Sequence, residues 1–409
     1  MNELSDLTAQ CIRCGFCLEA CPTFVETGDE AQSPRGRIYL VRSAEEGKLD
    51  WEEGVAPALD KCLGCRACET ACPSGVHYGA ILELGRQRLN ERRKDPRIPL
   101  LLKGLTDHRL ARIQIGLAGL LPGGRMPEPL SRLLCGEAAE ADSPTPQSIA
   151  AWPDLDESKL PPITREVALL EGCVMRVLFP RVHQATRRLL RRAGCRIIET
   201  PKAGCCGALH AHAGMMKEAE TRAQALAKAL PADLPIIVNS AGCGSTMKEY
   251  GEAVGQGLKD LGRRVFDISE FLASVGFEAE LARSPGIRAR ATYHDACHLA
   301  HGQKVRSEPR RLLAAVPGLK LVDLPESDHC CGSAGIYNVV QPKMARALLD
   351  RKWKNVDSTG ARIVVNGNPG CHAWIAQAAR EAGGDVMVLH TAEILEASFS
   401  GLDGLTQAD

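Results

Sequence analysis

Residues 11–22 read CIRCGFCLEACP, four cysteines and a proline in twelve positions. The spacing returns at 62–73 as CLGCRACETACP. Both runs are C-x-x-C-x-x-C-x-x-x-C-P. A disulfide framework would need an oxidising compartment and thiols able to face each other in pairs. A zinc site usually takes two separated C-x-x-C pairs around one ion. An iron–sulfur cube wants three thiolates from one tight run and a fourth from elsewhere, and only this chemistry uses the run as it stands. In two-cluster ferredoxins the fourth cysteine of each run serves the other cluster. The expected ligand sets are therefore Cys11, Cys14, Cys17 and Cys72 for one [4Fe-4S] cluster, and Cys62, Cys65, Cys68 and Cys21 for the second. Pro22 and Pro73 end each run and aim the preceding cysteine away from it.

The elements that hold these thiols follow from the flanking sequence. The connector SPRGRIYLVRSAEEGKLDWEEG reads as helix, with Pro34 suited to its start and Arg37, Leu40 and Val41 at helical spacing. A helical connector predicts a helical ferredoxin rather than a small β-rich one. The basic tract GRQRLNERRKDP, followed by Arg97, reads first as a solvated helix face. The sharper alternative is a docking face for an acidic partner or anionic lipid. Residues 136–163 are rich in Pro, Ser and acids and read as a linker, with Cys135 before it as a packing residue.

Composition narrows the function classes. The 409 residues allow two or three domains. Net charge is zero and aromatics are only 4%, which argues against nucleic acid as a partner. The start, MNELSDLTAQ, is polar and does not read as a secretory signal. The longest apolar stretch, IQIGLAGLLPGG at 113–124, is broken by Pro122 and is too short to span a bilayer. Eighteen cysteines on a chain without a signal point to a reducing cytosol and to metal.

Beyond the linker, short apolar runs alternate with helical stretches, which predicts parallel α/β sheets. The order then repeats. VALLEGC at 167–173 matches ATYHDAC at 291–297, and CRIIETPKAGCCGALHAHAG matches LKLVDLPESDHCCGSAG. PIIVNSAGC matches ARIVVNGNPGC, and VFDISEFL matches VMVLHTAEIL. Cys173, Cys205, Cys206 and Cys243 thus correspond to Cys297, Cys330, Cys331 and Cys371. Each set falls just past the carboxyl ends of three strands, where open parallel sheets place ligands. The ordinary alternative is a set of buried small side chains. Metal or redox chemistry at the repeat interface explains the matched positions better. Cys195 faces Leu319 in the alignment and is expected in the core.

The expected architecture is an α+β multidomain chain: a helical two-cluster ferredoxin domain at 1–95, a helical segment and linker at 96–165, and two α/β Cys-Cys-Gly domains at 166–285 and 286–409. With SPRGRI, CETACPSGVHYG, GCGSTMKEYG and HCCGSAGIYN, the chain resembles the iron–sulfur subunits of glycolate oxidase (glycolate dehydrogenase) over all but the linker. The Cys-Cys-Gly repeats also occur in heterodisulfide reductases, lactate-oxidising complexes and anaerobic glycerol-3-phosphate dehydrogenase. The resemblance implies an electron-transfer subunit beside FAD-binding subunits that oxidise glycolate to glyoxylate. It also implies a quinone or other membrane acceptor, and a cytoplasmic chain peripheral to the inner face of the membrane. The residues agree independently. No G-x-G-x-x-G and no G-x-x-x-x-G-K-[ST] is present. Hydride chemistry belongs to an organic cofactor, and a cubane takes one electron at a time.

One departure matters. Heterodisulfide reductases end each Cys-Cys-Gly domain with C-x-x-C, but here the segments read Cys243-Gly244-Ser245-Thr246 and Cys371-His372-Ala373-Trp374. Four cysteines per half could hold one further cluster, or both halves could share one. His294, His298, His329 and His372 flank the second set, each a candidate ligand, proton relay or hydrogen-bond donor. Rival readings are lactate or glycerol-3-phosphate oxidation, a thiol–disulfide oxidoreductase, and a non-redox metal module.

Overall fold

A computed structural model describes residues 3–93, 96–107, 152–252 and 254–400. The stretch 113–124, Cys135 and residues 136–151 of the expected linker lie outside the described residues.

The first sheet contains β1 (Arg165–Leu170), β2 (Cys195–Ile198), β3 (Ile236–Val238) and β4 (Val265–Asp267), all parallel in the order β2-β1-β3-β4. The second contains β5 (Ala289–Tyr293), β6 (Leu319–Val322), β7 (Ile363–Asn366) and β8 (Met387–His390), in the matching order β6-β5-β7-β8. In each sheet the chain moves one way from its first strand, then returns to the other side of it. That reversal leaves a crevice outside the carboxyl ends of the first and third strands.

Side chains alternate across a strand, so each sheet faces two cores. Val167 and Leu169 of β1 join a core shared with Ala291 and Tyr293 of β5, whereas Ala168 and Leu170 pack into a core of the first repeat alone. Between the sheets, helix Pro180–Arg192 packs on Thr391–Ser400, and Ile268–Ser274 packs on Ser307–Ala314. Each repeat thus lends a helix to both pairs. The fully buried Glu396 carboxylate binds Arg188 Nε at 2.7 Å and Arg192 Nε at 3.2 Å across the first pair. Cys195 is 1% exposed in the shared core, as expected.

The N-terminal region is helical throughout. Ser33 caps helix Pro34–Glu45, with Pro34 at its first turn. A Cβ on Gly36 would lie 2.0 Å from the Glu30 carbonyl, so only glycine fits there. The connector is not one helix, however. It stops at Glu45, turns through Gly47 at φ +72° and resumes as a short π-helix, Trp51–Val55. Helix Tyr78–Arg92 then returns across the region.

This region is docked against both repeats. Arg86 Nη1 donates to the His212 carbonyl of the first repeat at 2.6 Å, and Tyr337 Oη of the second donates to the Lys61 carbonyl at 2.9 Å. Arg86 Nη2 also reaches the carbonyls of Leu59 and Cys62, at 3.0 and 2.7 Å. The basic tract is therefore not simply a solvated face, because Arg86 is spent on an intramolecular joint and Arg93 pairs with Asp60 at 2.8 Å. Residues 152–163 also pack: Arg181 lies over the Trp152 ring at 4.4 Å, and Arg191 Nη1 holds the Pro161 carbonyl at 2.8 Å. No described helix is long and apolar enough to cross a membrane.

Candidate metal centres

The two N-terminal runs cross over in space. One cavity is lined by Cys11, Cys14, Cys17 and Cys72, and also by Cys68. A second is lined by Cys62, Cys65, Cys68 and Cys21. Each run's last cysteine thus faces the other run's cavity. Pro22 and Pro73 explain the geometry: Pro22 opens helix Pro22–Thr27 directly after Cys21, which turns the chain away at the point where Cys21 departs from its own run.

None of the described cysteines forms a disulfide. Burial, then neighbouring thiolates including Cys297, drives the Cys65 thiol well up; burial, Cys65 and Cys62 do the same for Cys68. Cys17 is pushed up to about 11, first by burial. Thiols held this way bind a cationic core more readily than they ionise alone. A tetrahedral single ion spaces its ligands roughly 3.4–3.8 Å apart. Among the described residues, neither N-terminal set converges within 4.8 Å, so the donors fit a multi-atom cluster better than one zinc ion.

The second cavity has a buried polar wall. Arg37 is 1% exposed and aims Nη1 at Cys21 Sγ, 3.7 Å away. Its Nε donates to the Ala58 carbonyl at 2.9 Å, and its Nη2 to Thr23 Oγ1 at 2.9 Å. Burial opposes its charge, but Cys62, Tyr78 and Cys21 more than offset this and raise its pKa. Tyr78 Oη donates to Cys62 Sγ at 3.4 Å. The first cavity, by contrast, opens at the surface. Cys14 is exposed there, beside Ile12 and Phe16 at 68% and 70% exposure.

In the repeats the eight aligned cysteines, Cys195 aside, group by half. Cys173 hydrogen-bonds Cys205, and Cys206 hydrogen-bonds Cys243. Cys297 pairs likewise with Cys330, and Cys331 with Cys371. Gly207 and Gly332 close the two Cys-Cys turns at φ +88° and +92°. A Cβ on either would lie 2.8 or 2.5 Å from the carbonyl of Ala219 or Ala345, so both turns need glycine to seat the thiols against the next helix.

Known proteins share these features. The Cysteine-rich domain family matches residues 167–248 and 291–376, and the 4Fe-4S dicluster domain family matches 8–76. A probable glycolate oxidase iron–sulfur subunit of Bacillus subtilis (strain 168) is 35% identical over 94% of this chain and 92% of its own. The glycolate oxidase iron–sulfur subunit of Escherichia coli (strain K12) is 33% identical over 96% and 95%. A lactate utilization protein of Oceanobacillus iheyensis is 30% identical over 58% of this chain and 98% of its own. The chain belongs to the family of glycolate oxidase iron–sulfur subunits. It is accordingly an iron–sulfur electron-transfer subunit of an oxidoreductase complex, which implies a partner subunit.

Within this family member the four candidate histidines part ways. His294 is fully buried and meets Cys331 and Cys371, with all three donor atoms within 4.8 Å. His298 turns instead to the Gly64 carbonyl, at 2.9 Å. His329 lines a small cavity with Cys330, Glu26 and Arg351. His372 packs edge-on to Phe179, and burial lowers its pKa to about 4. Three polar neighbours escaped the sequence reading. Arg37 was visible only as a helical position. Tyr78 stood only within the motif CETACPSGVHYG, with no role attached. His210, which hydrogen-bonds Cys205, stood in CCGALHAH five residues after that cysteine.

Proposed function

We propose that the chain carries electrons for a complex that oxidises glycolate to glyoxylate. In this reading Cys11, Cys14, Cys17 and Cys72 ligate one [4Fe-4S] cluster, and Cys62, Cys65, Cys68 and Cys21 ligate the other. The observation that carries it is the crossover, in which each cavity is completed by the other run's last cysteine. Cys173, Cys205, Cys206 and Cys243, with Cys297, Cys330, Cys331 and Cys371, are read as a further iron–sulfur site. A bound cluster supplies one-electron transfer and no more.

The remaining parts follow from that limit. Glycolate loses two electrons and two protons, so a flavin on an FAD-binding partner subunit takes the hydride and releases electrons singly. The chain's residues hold and screen the relay: Arg37 and Tyr78 set the polarity at the inner cavity, and the exposed edge at Cys14 offers a route outward. The acceptor is read as quinone, with the chain on the cytoplasmic face of the membrane. Support for glycolate over lactate or glycerol-3-phosphate comes from the relatives' names, since substrate choice would lie on the partner.

The test uses the complex purified without oxygen. Glycolate is added and the cluster signals are followed by electron paramagnetic resonance, beside lactate and glycerol-3-phosphate. Reduction by glycolate is expected. A response to another substrate alone would discard glycolate, and silence to all three in a flavin-loaded complex would favour a thiol–disulfide oxidoreductase.

A further inference from the structure

The two repeats are not chemically equal. The alignment that pairs Cys173 with Cys297 places Leu170 of the first opposite His294 of the second. Leu170 is an ordinary core residue there. His294, by contrast, is a fully buried imidazole beside two thiols.

The ring's protonation is fixed by its neighbours. Nδ1 lies 3.1 Å from the Ser327 carbonyl. A carbonyl only accepts, so in the neutral ring Nδ1 carries the proton and Nε2 bears a bare lone pair. The Ser327 carbonyl is itself anchored, taking the Asp295 amide at 3.1 Å and Lys352 Nζ at 3.4 Å. The ring is therefore oriented by a rigid acceptor, the arrangement that metal-bound histidines show. Nε2 is buried, and the one group it can hydrogen-bond is the Cys331 thiol. Such a group is costly to leave unpaired.

A ring nitrogen of His294 lies within 4.8 Å of Cys331 Sγ and Cys371 Sγ, and among the described residues this is the one group of three such donors. With Nδ1 held by Ser327, the nitrogen left for the sulfurs is Nε2. Asn368 Nδ2 approaches Cys371 Sγ at 3.6 Å, as an outer hydrogen bond to a ligand would. While protonated, the Cys331 thiol can satisfy the Nε2 lone pair; once both thiols are ionised to bind metal, that lone pair is free for the same cation. We propose that one iron atom of a centre in the second repeat is bound by His294 Nε2 together with Cys331 and Cys371. The first repeat has no nitrogen at the equivalent position, since Leu170 stands there and its His210, which hydrogen-bonds Cys205, aligns with Gly335. Both repeats keep the same four cysteines, so the imidazole, standing where the first repeat has Leu170, is a donor added to the second-repeat centre. This rests on reading the repeats as iron-bearing.

The full chain is purified anaerobically from cells grown with ¹⁵N-labelled or unlabelled histidine. Iron, zinc and sulfide are counted, and electron–nuclear couplings are recorded in the oxidised and dithionite-reduced states. The expected result is iron beyond that of two cubane clusters, with a directly coordinated histidine nitrogen. In His294→Leu, which copies the first repeat, that coupling and its iron are lost while the two ferredoxin signals stay. Extra iron without histidine coupling in either state would overturn the role of His294 and keep the repeat centre. So would a His294→Leu chain with its full iron complement. Zinc in place of the extra iron would overturn the iron assignment. No metal beyond the two cubanes would overturn the repeat centre itself.

Discussion

His298 Nε2 lies 2.9 Å from the carbonyl of Gly64, in the loop between Cys62 and Cys65. The carbonyl accepts, so Nε2 is the N–H donor. Burial, then His212 whose ring stands edge-on at 4.8 Å, lowers the His298 pKa to about 3, so the ring is neutral near pH 7. This bond holds the inner cysteine run against the second repeat, where Cys65 and Cys297 share one apolar cluster. His298→Ala would leave a buried carbonyl unpaired, a loss of about 1–3 kcal/mol. Amide exchange across residues 62–66 is expected to quicken by roughly tenfold or more, with cluster content unchanged. His298→Gln, which keeps a donor, should recover part of the protection. Unchanged exchange in His298→Ala would mean that the other contacts across the joint, among them Tyr337–Lys61, Arg86–His212 and Arg66–Glu249, hold it without His298.

Tyr78 and Arg37 give a second expectation. Hydrogen bonds and positive charge near cluster sulfurs favour the reduced, more negative state and raise the potential. Tyr78→Phe removes the 3.4 Å bond to Cys62 Sγ and little else. A redox titration followed by electron paramagnetic resonance should show one cluster moving to a more negative midpoint and the other unmoved. Arg37→Gln should shift the same cluster further. Its buried partners Ala58, Thr23 and Gln32 also lose donors, so it should fold less stably as well.

The crossover makes a third. Cys21 sits in the first run but lines the second cavity. Cys21→Ser and Cys65→Ser should therefore abolish the same signal, while Cys72→Ser and Cys14→Ser abolish the other. If Cys21→Ser instead matched Cys14→Ser, the ligand sets would be wrong.

These expectations divide along what the sequence could carry. β1, β3 and β7 were legible because they are largely buried and so read as short apolar runs, and β5 because the repeat aligns it with β1. The thiols were legible because their spacing is local. The docking was not. Several of its acceptors are the carbonyls of Gly64, Lys61 and His212, and a main-chain acceptor leaves no residue signature. Its side-chain pairs, such as Arg66 with Glu249 and Arg351 with Glu26, join residues far apart in sequence. The same gap hid Arg86, whose charge read as solvent-facing. His298, His329 and His372 looked alike in sequence with His294, because adjacency to a cysteine does not say where a ring points. Only His294 has a rigid acceptor behind it and two thiols ahead.

Asp267 supplies a pH prediction outside the metal sites. It ends β4 and caps helix Ile268–Ser274, accepting the Ser269 amide at 2.8 Å. Glu270 completes the capping box and pairs with Lys248 at 2.5 Å. Burial raises the Asp267 pKa from 3.8 to about 6, against hydrogen bonds from Ser269 that lower it. The folded chain therefore holds this proton more tightly than the unfolded chain. Between about pH 4 and 6 the folded state binds more protons, so stability falls as pH rises through that window and levels off above it. The full effect would be up to about 3 kcal/mol. Asp267→Asn keeps an acceptor for the cap and removes the buried charge. Its melting temperature should lose this slope, and at pH 7 the variant should be no less stable than the parent. A variant that kept the parent's slope between pH 4 and 6 would assign the titration to another group.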